Sequence, residues 1–533
     1  MRKDYRKKFL FIGIGLFVFS FVFRYIILPP VVKSQVKAKV ELRPGKFMRK
    51  IWSTFPFSLD FSVYLFNVTN PDEITQGAKP IVHEVGPFVY DEWIEKTDQI
   101  DHDDDDSVSF TFKYTYYFNA EKSKGLTGEE ELIVPNYFIL GLVNTIKLEK
   151  PAIMPAAAKG INSIFKNPSN IFMKQKAKDI LFEGFVVDCR VTDVPGAAVC
   201  TEVRNQYEDL RLIKLEENVY LMSLFGATNG TSSKARMRVY RGKKHLMSVG
   251  QVIEYDGKPN ISVWNDEVCD AFGNATDGTI FHPYYKKDDF LGLYTESMCR
   301  VISLNYLEDN KTAGISTYRY TTSVGIDPEN NPHDKCYCMS EDKCLKKGAF
   351  DAYKCTKIPI VVTNPHFYLA DPYYLSRVDG LSPNKDKHML HLDIEPFAGA
   401  PVYAHSRAQL NMYLTKIEKF KLMKNMSEAL LPLLWIDDAL VLPKFMIKEI
   451  KFGLLQLKLA TIWRFFLMFS GLGMIGFASF LHFKGHFMKK KLETTQPVET
   501  TNETLGSELN SADKMMQLQV GKLQPAPVPA RID

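Results

Sequence analysis

No cysteine lies before position 189 or after position 355, so neither terminal tail and neither long apolar run carries a thiol. Net charge of one sign is nearly missing as well. Lys and Arg total 67 against 62 Asp and Glu, a formal +5, and that surplus is terminal: residues 1–8 carry +4, residues 484–533 carry +1, and residues 9–483 sum to zero. A neutral central segment is no general polyanion binder, which excludes nucleic acid as its partner and leaves only local basic patches. Also absent are a nucleophile–base motif, a phosphate-binding glycine loop and a metalloprotease helix. Nothing in the sequence argues for catalysis or for a cofactor.

What the chain does have is two long stretches almost free of charge. Phe465–Phe483 (FFLMFSGLGMIGFASFLHF) runs 19 residues with only His482 able to ionise. As a helix it covers about 28 Å, close to the roughly 30 Å hydrocarbon core of a bilayer. A helix of a soluble core would show a polar face within five turns, and this one has none. Lys484, His486, Lys489, Lys490 and Lys491 follow it, the basic flank of a cytoplasmic side. At the other end the basic octet MRKDYRKK precedes Phe9–Leu28, where Arg24 near the outer end can snorkel to the headgroups. A cleaved signal peptide would have a shorter apolar core and a small-residue cleavage site. This run ends in Leu28-Pro29-Pro30, so an uncleaved span is expected.

The reading is a hairpin in the plasma membrane with both termini cytoplasmic. Its parts are a tail (1–8), a span (9–28), an extracellular domain (29–461), a second span (462–483) and a polar, disordered tail (484–533). Six glycosylation sequons fall between the spans, at Asn67, Asn229, Asn260, Asn274, Asn310 and Asn425, with a seventh at Asn502 in the tail. The eight cysteines, at 189, 200, 269, 299, 336, 338, 344 and 355, fit an oxidising compartment. With 45% hydrophobic and 13% aromatic residues, the domain can bury a large core.

Along that domain, Phe61–Thr69 and Ile81–Tyr90 read as strands, the second broken at Gly86-Pro87. Ser107–Phe118 (SVSFTFKYTYYF) alternates most cleanly. Residues 91–106 hold nine acids and one lysine. They lack the ligand spacing and turn glycine of a calcium loop, and so read as a solvated acidic loop. Asn136–Lys147 and Ile171–Phe182 have helical spacing, with Ser169 or Asn170 placed to cap the second. Between Lys147 and Lys178 there are seven lysines and one acid, Glu149: either solvated helix faces or a basic rim suited to an acidic partner. Cys189 and Cys200 bracket Pro195-Gly196 and read as a hairpin closed by a disulfide. Cys336, Cys338, Cys344, Cys355 and His333 could hold zinc, but disulfides are favoured in an oxidising compartment.

Several stretches resemble the class B scavenger receptor family over almost the full chain. They are Phe66–Glu73 (FNVTNPDE), Val85–Tyr90 (VGPFVY), the six-cysteine block 269–355, Pro365-His366-Phe367, Asp379–Gly399 and Leu434-Trp435. Within it the chain is most similar to the insect sensory neuron membrane proteins, on Trp52–Phe66, Asp91-Glu92-Trp93, Glu95-Lys96, Asp101–Asp106 and Gly125–Glu130. Pro44-Gly45 and Asn70-Pro71-Asp72 lean toward the second of their two subtypes. The resemblance implies an α+β fold: an antiparallel β-barrel pierced by an apolar tunnel, capped by helices over 135–184, and anchored by two membrane helices. It implies the pairings Cys269–Cys336, Cys299–Cys355 and Cys338–Cys344, while Cys189–Cys200 is paired by local spacing. Lys159, Lys166, Lys174, Lys176 and Lys178 of the cap become candidates for ligand capture. The function implied is capture of an apolar odorant or fatty-acid-derived pheromone and its passage toward the membrane, with odorant receptors and odorant carrier proteins as partners. A general lipid scavenger, or a sorting and adhesion receptor using the cap surface alone, are the alternatives.

Overall fold

The computed structural model describes residues 2–340 and 343–493; Asn502 and the tail beyond 493 lie outside the described residues. The described residues form two compact units, residues 2–20 with 465–493, and residues 21–464.

In the larger unit most strands join one 13-stranded antiparallel sheet. Its first strands in the chain are β1 (Leu59–Val68), β2 (Val82–His102) and β3 (Ser107–Phe118). β1 lies between β2 and the last strand, Ala429–Val441, which in turn pairs with Ala400–Leu414. The two edges of the sheet meet through one residue: Thr276 bridges Gln251 at one edge and Leu293 at the other. The sheet is thereby a near-closed barrel, as the resemblance implied, and few backbone groups are left for edge pairing.

The expected break at Gly86-Pro87 does not occur. Val63 pairs with Phe88 and Leu65 with Val85, so Tyr64 alone faces Gly86 and Pro87. This is a β-bulge, where proline's missing N–H interrupts no ladder. Gly86 is required there, because a Cβ would lie 2.7 Å from the Tyr64 ring, which stacks on Trp435 at 3.9 Å.

The acidic run is also not a solvated loop. β2 continues to His102 and a turn carries Asp103–Asp106 into β3. Arg241 donates to Asp101, Asp103 and Asp106 at 3.1, 2.6 and 3.2 Å, Arg49 to Asp101 at 3.0 Å, and Arg238 to Asp105 at 2.6 Å. Three arginines distant in sequence neutralise the run, which no local reading could reveal.

The cap contains Tyr137–Glu149, whose first turn is held by Asn136 Oδ1 accepting the Ile139 N–H at 3.1 Å, and Met154–Ile164. Ile171–Phe182 is not a helix. Phe172–Lys176 pairs as a strand with Glu131–Pro135, and a single π turn, Asp179–Glu183, follows. Cys189–Cys200 is not a hairpin either: Asp193 caps the helix Val194–Gln206, accepting from Gly196 N–H, and Pro195 sits in the first turn where its missing N–H is harmless.

Two helices are long and apolar enough to cross a membrane, within Tyr5–Val40 and Lys444–Lys491. At 36 and 48 residues both exceed the length that a bilayer core requires. Pro29 and Pro30 do not end the first; a π turn over Phe23–Ile27 precedes them and Leu28–Val40 continues as helix. Within the smaller unit the helices meet at glycines. A Cβ on Gly471 would lie 2.7 Å from Gly13 O, and the rings of Phe9 and Phe477 meet edge to face at 5.6 Å. Small residues allow close contact between helix backbones in lipid, where packing drives association.

Candidate functional site: the barrel interior and its cap

Strand alternation decides which side chains enter the barrel. On β2, Tyr90, Glu92, Ile94 and Lys96 share one face and are all buried. β3 sets Tyr116 beside Glu92 and Tyr114 beside Ile94. The last strand sets Asp438 opposite Phe61 of β1 and Ser406 of Ala400–Leu414. Two packed cores occupy this face. One contains Phe61, Tyr90 and the cap residues Tyr137 and Leu181; the other contains Trp52, Phe110, Phe112, Tyr320 and Leu392.

Between these cores the packing opens. Ala404, Ala408, Leu410 and Leu440 contact the second core but keep accessible surface, and Ser406 on the same face is exposed. Tyr114, Tyr116 and Asp438 are enclosed deeply enough for their ionised forms to be strongly disfavoured, yet they too keep accessible surface. Side chains both enclosed and accessible border an internal space, which well-packed interiors lack.

Ala404, Ala408, Leu410 and Leu440 give this face apolar surface, and Ser406, Tyr114, Tyr116 and Asp438 give it polar groups. Glu92 and Asp438 come together with Tyr116, and among the described residues no lysine or arginine forms a salt bridge with either carboxyl. Burial pushes Glu92 up, against a hydrogen bond from Tyr116. Burial and the adjacent Glu92 charge push Asp438 well above the usual carboxylate range. Two carboxyls in contact disfavour ionisation of both at once.

Lower in the barrel, Lys96 is fully buried against Trp52, its Nζ 4.5 Å from the ring, and lies 3.6 Å from Asp277. Burial pulls it down to about 8, against the Asp277 charge. Trp52 Nε1 donates to the same carboxylate at 2.9 Å, and Lys96 donates to Thr279 Oγ1 at 2.8 Å, so this site is internally satisfied.

On the cap side, the π turn carries Phe182 into an aromatic group with Tyr90 (4.4 Å), Tyr116 (5.5 Å) and Phe225 (5.7 Å). Elsewhere in this unit, Arg24, Leu28, Val32, Tyr284, Phe397 and Leu457 are among the residues lining a cleft of about 410 Å³.

The structure separates the five cap lysines into two groups. Lys174 pairs with Glu131 at 2.5 Å, Lys176 with Glu129 at 2.8 Å, and Lys178 with Glu129 and Glu183 at 2.8 and 3.1 Å. Lys159 on its helix and Lys166, in a left-handed turn with φ of 54°, are exposed, and among the described residues no carboxylate pairs with either. Disulfides join Cys189 to Cys200, Cys269 to Cys336, Cys299 to Cys355 and Cys338 to Cys344. Of the sequon asparagines, Asn260, Asn274 and Asn425 are exposed. Asn67 and Asn229 accept backbone N–H bonds from Ile133 and Tyr116 at 2.7 and 2.9 Å, and Asn310 donates its Nδ2 to Asp393 at 2.9 Å. Sequence reading missed Glu92, Asp438 and Phe182. Continuing the alternation of β2 past Tyr90 would have put Glu92 on the apolar face; no comparable signal marked the other two.

With this geometry, sequence comparison identifies the class. The CD36 family matches residues 11–482, and the chain belongs to that family. It is similar to Sensory neuron membrane protein 1 of Apis mellifera, 40% identical over 527 residues covering 99% of each chain. It is similar also to the proteins of that name from Plutella xylostella (39%, covering 89% of this chain and 90% of the relative) and Manduca sexta (38%, 94% and 95%). All three carry the name of the first subtype, so the lean toward the second draws no support from them.

Proposed function

We propose that the protein is a cell-surface receptor or co-receptor of insect chemosensory tissue that captures long-chain, fatty-acid-derived odorants or pheromones. It passes them through the barrel toward the membrane and its odorant receptors, with odorant carrier proteins as the source. The observation that carries this reading is the accessible surface that Ala404, Ala408, Leu410 and Leu440 keep on the inner face between the two packed cores. A chain lying there gains roughly 0.8 kcal/mol per buried CH₂. Phe182 at the cap side and the cleft by Arg24 and Phe397 are the natural ends of such a path. The names of the relatives support the sensory setting.

The test fills the space. Ser406→Phe with Ala408→Phe should abolish responses to long-chain ligands in cells carrying an odorant receptor, while water-soluble odorants are detected normally. Surface expression is measured alongside, because overpacking costs about 1–3 kcal/mol. A well-expressed filled variant with full long-chain responses would move the function to the outer surface.

The proposal includes a hairpin with both termini in the cytoplasm. Glycan should then occupy Asn260, Asn274 and Asn425 most fully, Asn310 least because its Nδ2 is engaged, and Asn502 never. Mass spectrometry of the mature protein decides this, and glycan at Asn502 would invert the topology.

A further inference from the structure

We propose that the cleft beside Arg24 and Lys33, on the domain side of the two membrane helices, holds a bilayer phospholipid with a net negative head group. Its phosphate lies against those two cations. The site goes beyond the transport reading: such a lipid is a neighbour at the mouth of the proposed path, and it binds whether or not a ligand travels there.

The two helices are basic where they leave the membrane toward the domain. Residues 21–40 contain Arg24, Lys33, Lys37 and Lys39, residues 450–464 contain Lys451, Lys458 and Arg464, and neither stretch has an acid. With the domain outside, as proposed, this is the flank from which membrane proteins ordinarily withhold Lys and Arg. Lys39 meets Glu449 at 3.7 Å. Arg24 and Lys33 are exposed, and among the described residues no carboxylate pairs with either. The guanidinium groups of Arg24 and Arg464 lie 5.8 and 5.9 Å from the one ring of Tyr25, a concentration of positive charge that an anion relieves.

Arg24 and Lys33 line the cleft of about 410 Å³ together with Leu28, Val32 and Leu457. That volume falls in the roughly 300–1,000 Å³ range of small-molecule sites. Tyr284 and Phe397 of the domain also line it, and their wall is preformed. Their rings meet edge to face at 5.3 Å, and Tyr284 N–H donates to Phe397 O at 3.2 Å. The acid nearest Phe397 in sequence, Glu395, is buried and accepts the N–H groups of Phe397 and Ala398 at 3.1 and 2.7 Å, so it is committed to its own turn.

A free anion would use the two cations and leave the apolar walls idle. A neutral chain would use the walls and leave the cations idle. A phospholipid uses both: its phosphate accepts two parallel hydrogen bonds from a guanidinium and a further one from an ammonium, while its acyl chain covers the leucines and Val32. A zwitterionic head group is disfavoured, because its own ammonium faces the same cations. Basic pockets beside membrane helices hold anionic head groups by this chemistry.

The experiment titrates the full-length protein in detergent with dioleoyl phosphatidylglycerol or dioleoyl phosphatidylcholine and reads bound lipid by native mass spectrometry. The wild type should hold one phosphatidylglycerol at least about tenfold more tightly than phosphatidylcholine, a difference of about 1.4 kcal/mol. Arg24→Gln with Lys33→Gln should narrow the preference to within about threefold. If that variant does not fold, Lys33→Gln alone, on an exposed helix surface, carries the test and should move the preference the same way. The basic flank on the tail side also attracts anionic lipid, so Lys484→Gln with Lys489→Gln is the control and should leave the tight site unchanged. Equal wild-type affinity for the two lipids would overturn the site, as would a preference removed by the control variant and kept without Arg24 and Lys33. Displacement by millimolar inorganic phosphate would make it a site for free anions, and displacement by equimolar palmitate would make it an exit for travelling ligand. Either result overturns a resident phospholipid. None of them touches the transport reading, which the filled variant Ser406→Phe with Ala408→Phe tests separately.

Discussion

Asp437 and Asp438 are neighbours in the last strand and point to opposite faces of the barrel wall. Outside, Asp437 meets His405 Nδ1 at 2.6 Å and Arg407 Nε at 3.1 Å. Inside, Asp438 meets another acid. The same division separates Glu84 from Glu92 on β2. Burial alone would raise Glu84, but hydrogen bonds from His366 at 2.6 Å and Trp435 Nε1 at 2.7 Å pull it below its ordinary value. Glu92 has no such compensation and is raised. The outer layer spends its polar groups on fixing the wall beneath the 364–389 segment. On the inner face Glu92 and Asp438 have each other and Tyr116 for partners and, among the described residues, no cation.

The largest effect should come from breaking an outer pair. Arg319 holds Asp393, whose side chain is fully buried, at 2.7 Å. Arg319→Met strands that carboxylate and should cost about 3 kcal/mol or more, read as a fall in the thermal midpoint. Glu92→Gln in the same assay should stay within about 1 kcal/mol of wild type or stabilise, because it removes a buried acid with no cation. A larger loss from Glu92→Gln than from Arg319→Met would reverse the comparison.

Acid should distinguish the faces next. Burial pulls His388 and His391 down to about 4 from an ordinary value near 6.5. Between those values the unfolded chain binds more protons than the folded one, so stability falls as pH drops through the window. Glu92 is shifted the other way: the folded protein takes up that proton first, and acidification relieves it. Glu92→Gln should therefore lose more stability between pH 6.5 and 4 than wild type does. Parallel losses would mean that Glu92 is ionised in the folded barrel.

The smallest effect belongs to the cap surface. Lys174, Lys176 and Lys178 are already paired with acids, whereas Lys159 and Lys166 are not. Neutralising Lys159 and Lys166 together should weaken ligand capture modestly at low salt and hardly at all at physiological salt, where the screening length is about 8 Å. Capture assays on cells expressing each set decide it. An equal loss from the paired trio would make the whole rim, not the unpaired lysines, the attracting surface.

The sequence disclosed elements whose local pattern no distant partner overrides. Ser107–Phe118 alternates and is a strand with those bounds, and Asn136 caps the helix that its spacing announced. It concealed whatever depends on distant partners. Asp101–Asp106 reads as solvated until Arg49, Arg238 and Arg241 arrive from elsewhere in the chain. Phe172–Lys176 has helical spacing but is claimed by Glu131–Pro135, a tertiary choice that overrides local pattern. For the site, the family motifs implied a tunnel, whereas the Glu92–Asp438 pair required a register: only strand pairing brings positions so far apart in sequence onto one spot.

That register also sets the order of events in biosynthesis. β1 is among the first parts of the domain to emerge from the ribosome, and one of its two partners, Ala429–Val441, is the last strand made. The wall cannot be completed until that strand has been made, and β1 must wait with one edge open. Closing so long a loop is slow, and an unpaired strand invites the wrong partner. Truncation anywhere before residue 434 therefore leaves β1 without its second neighbour.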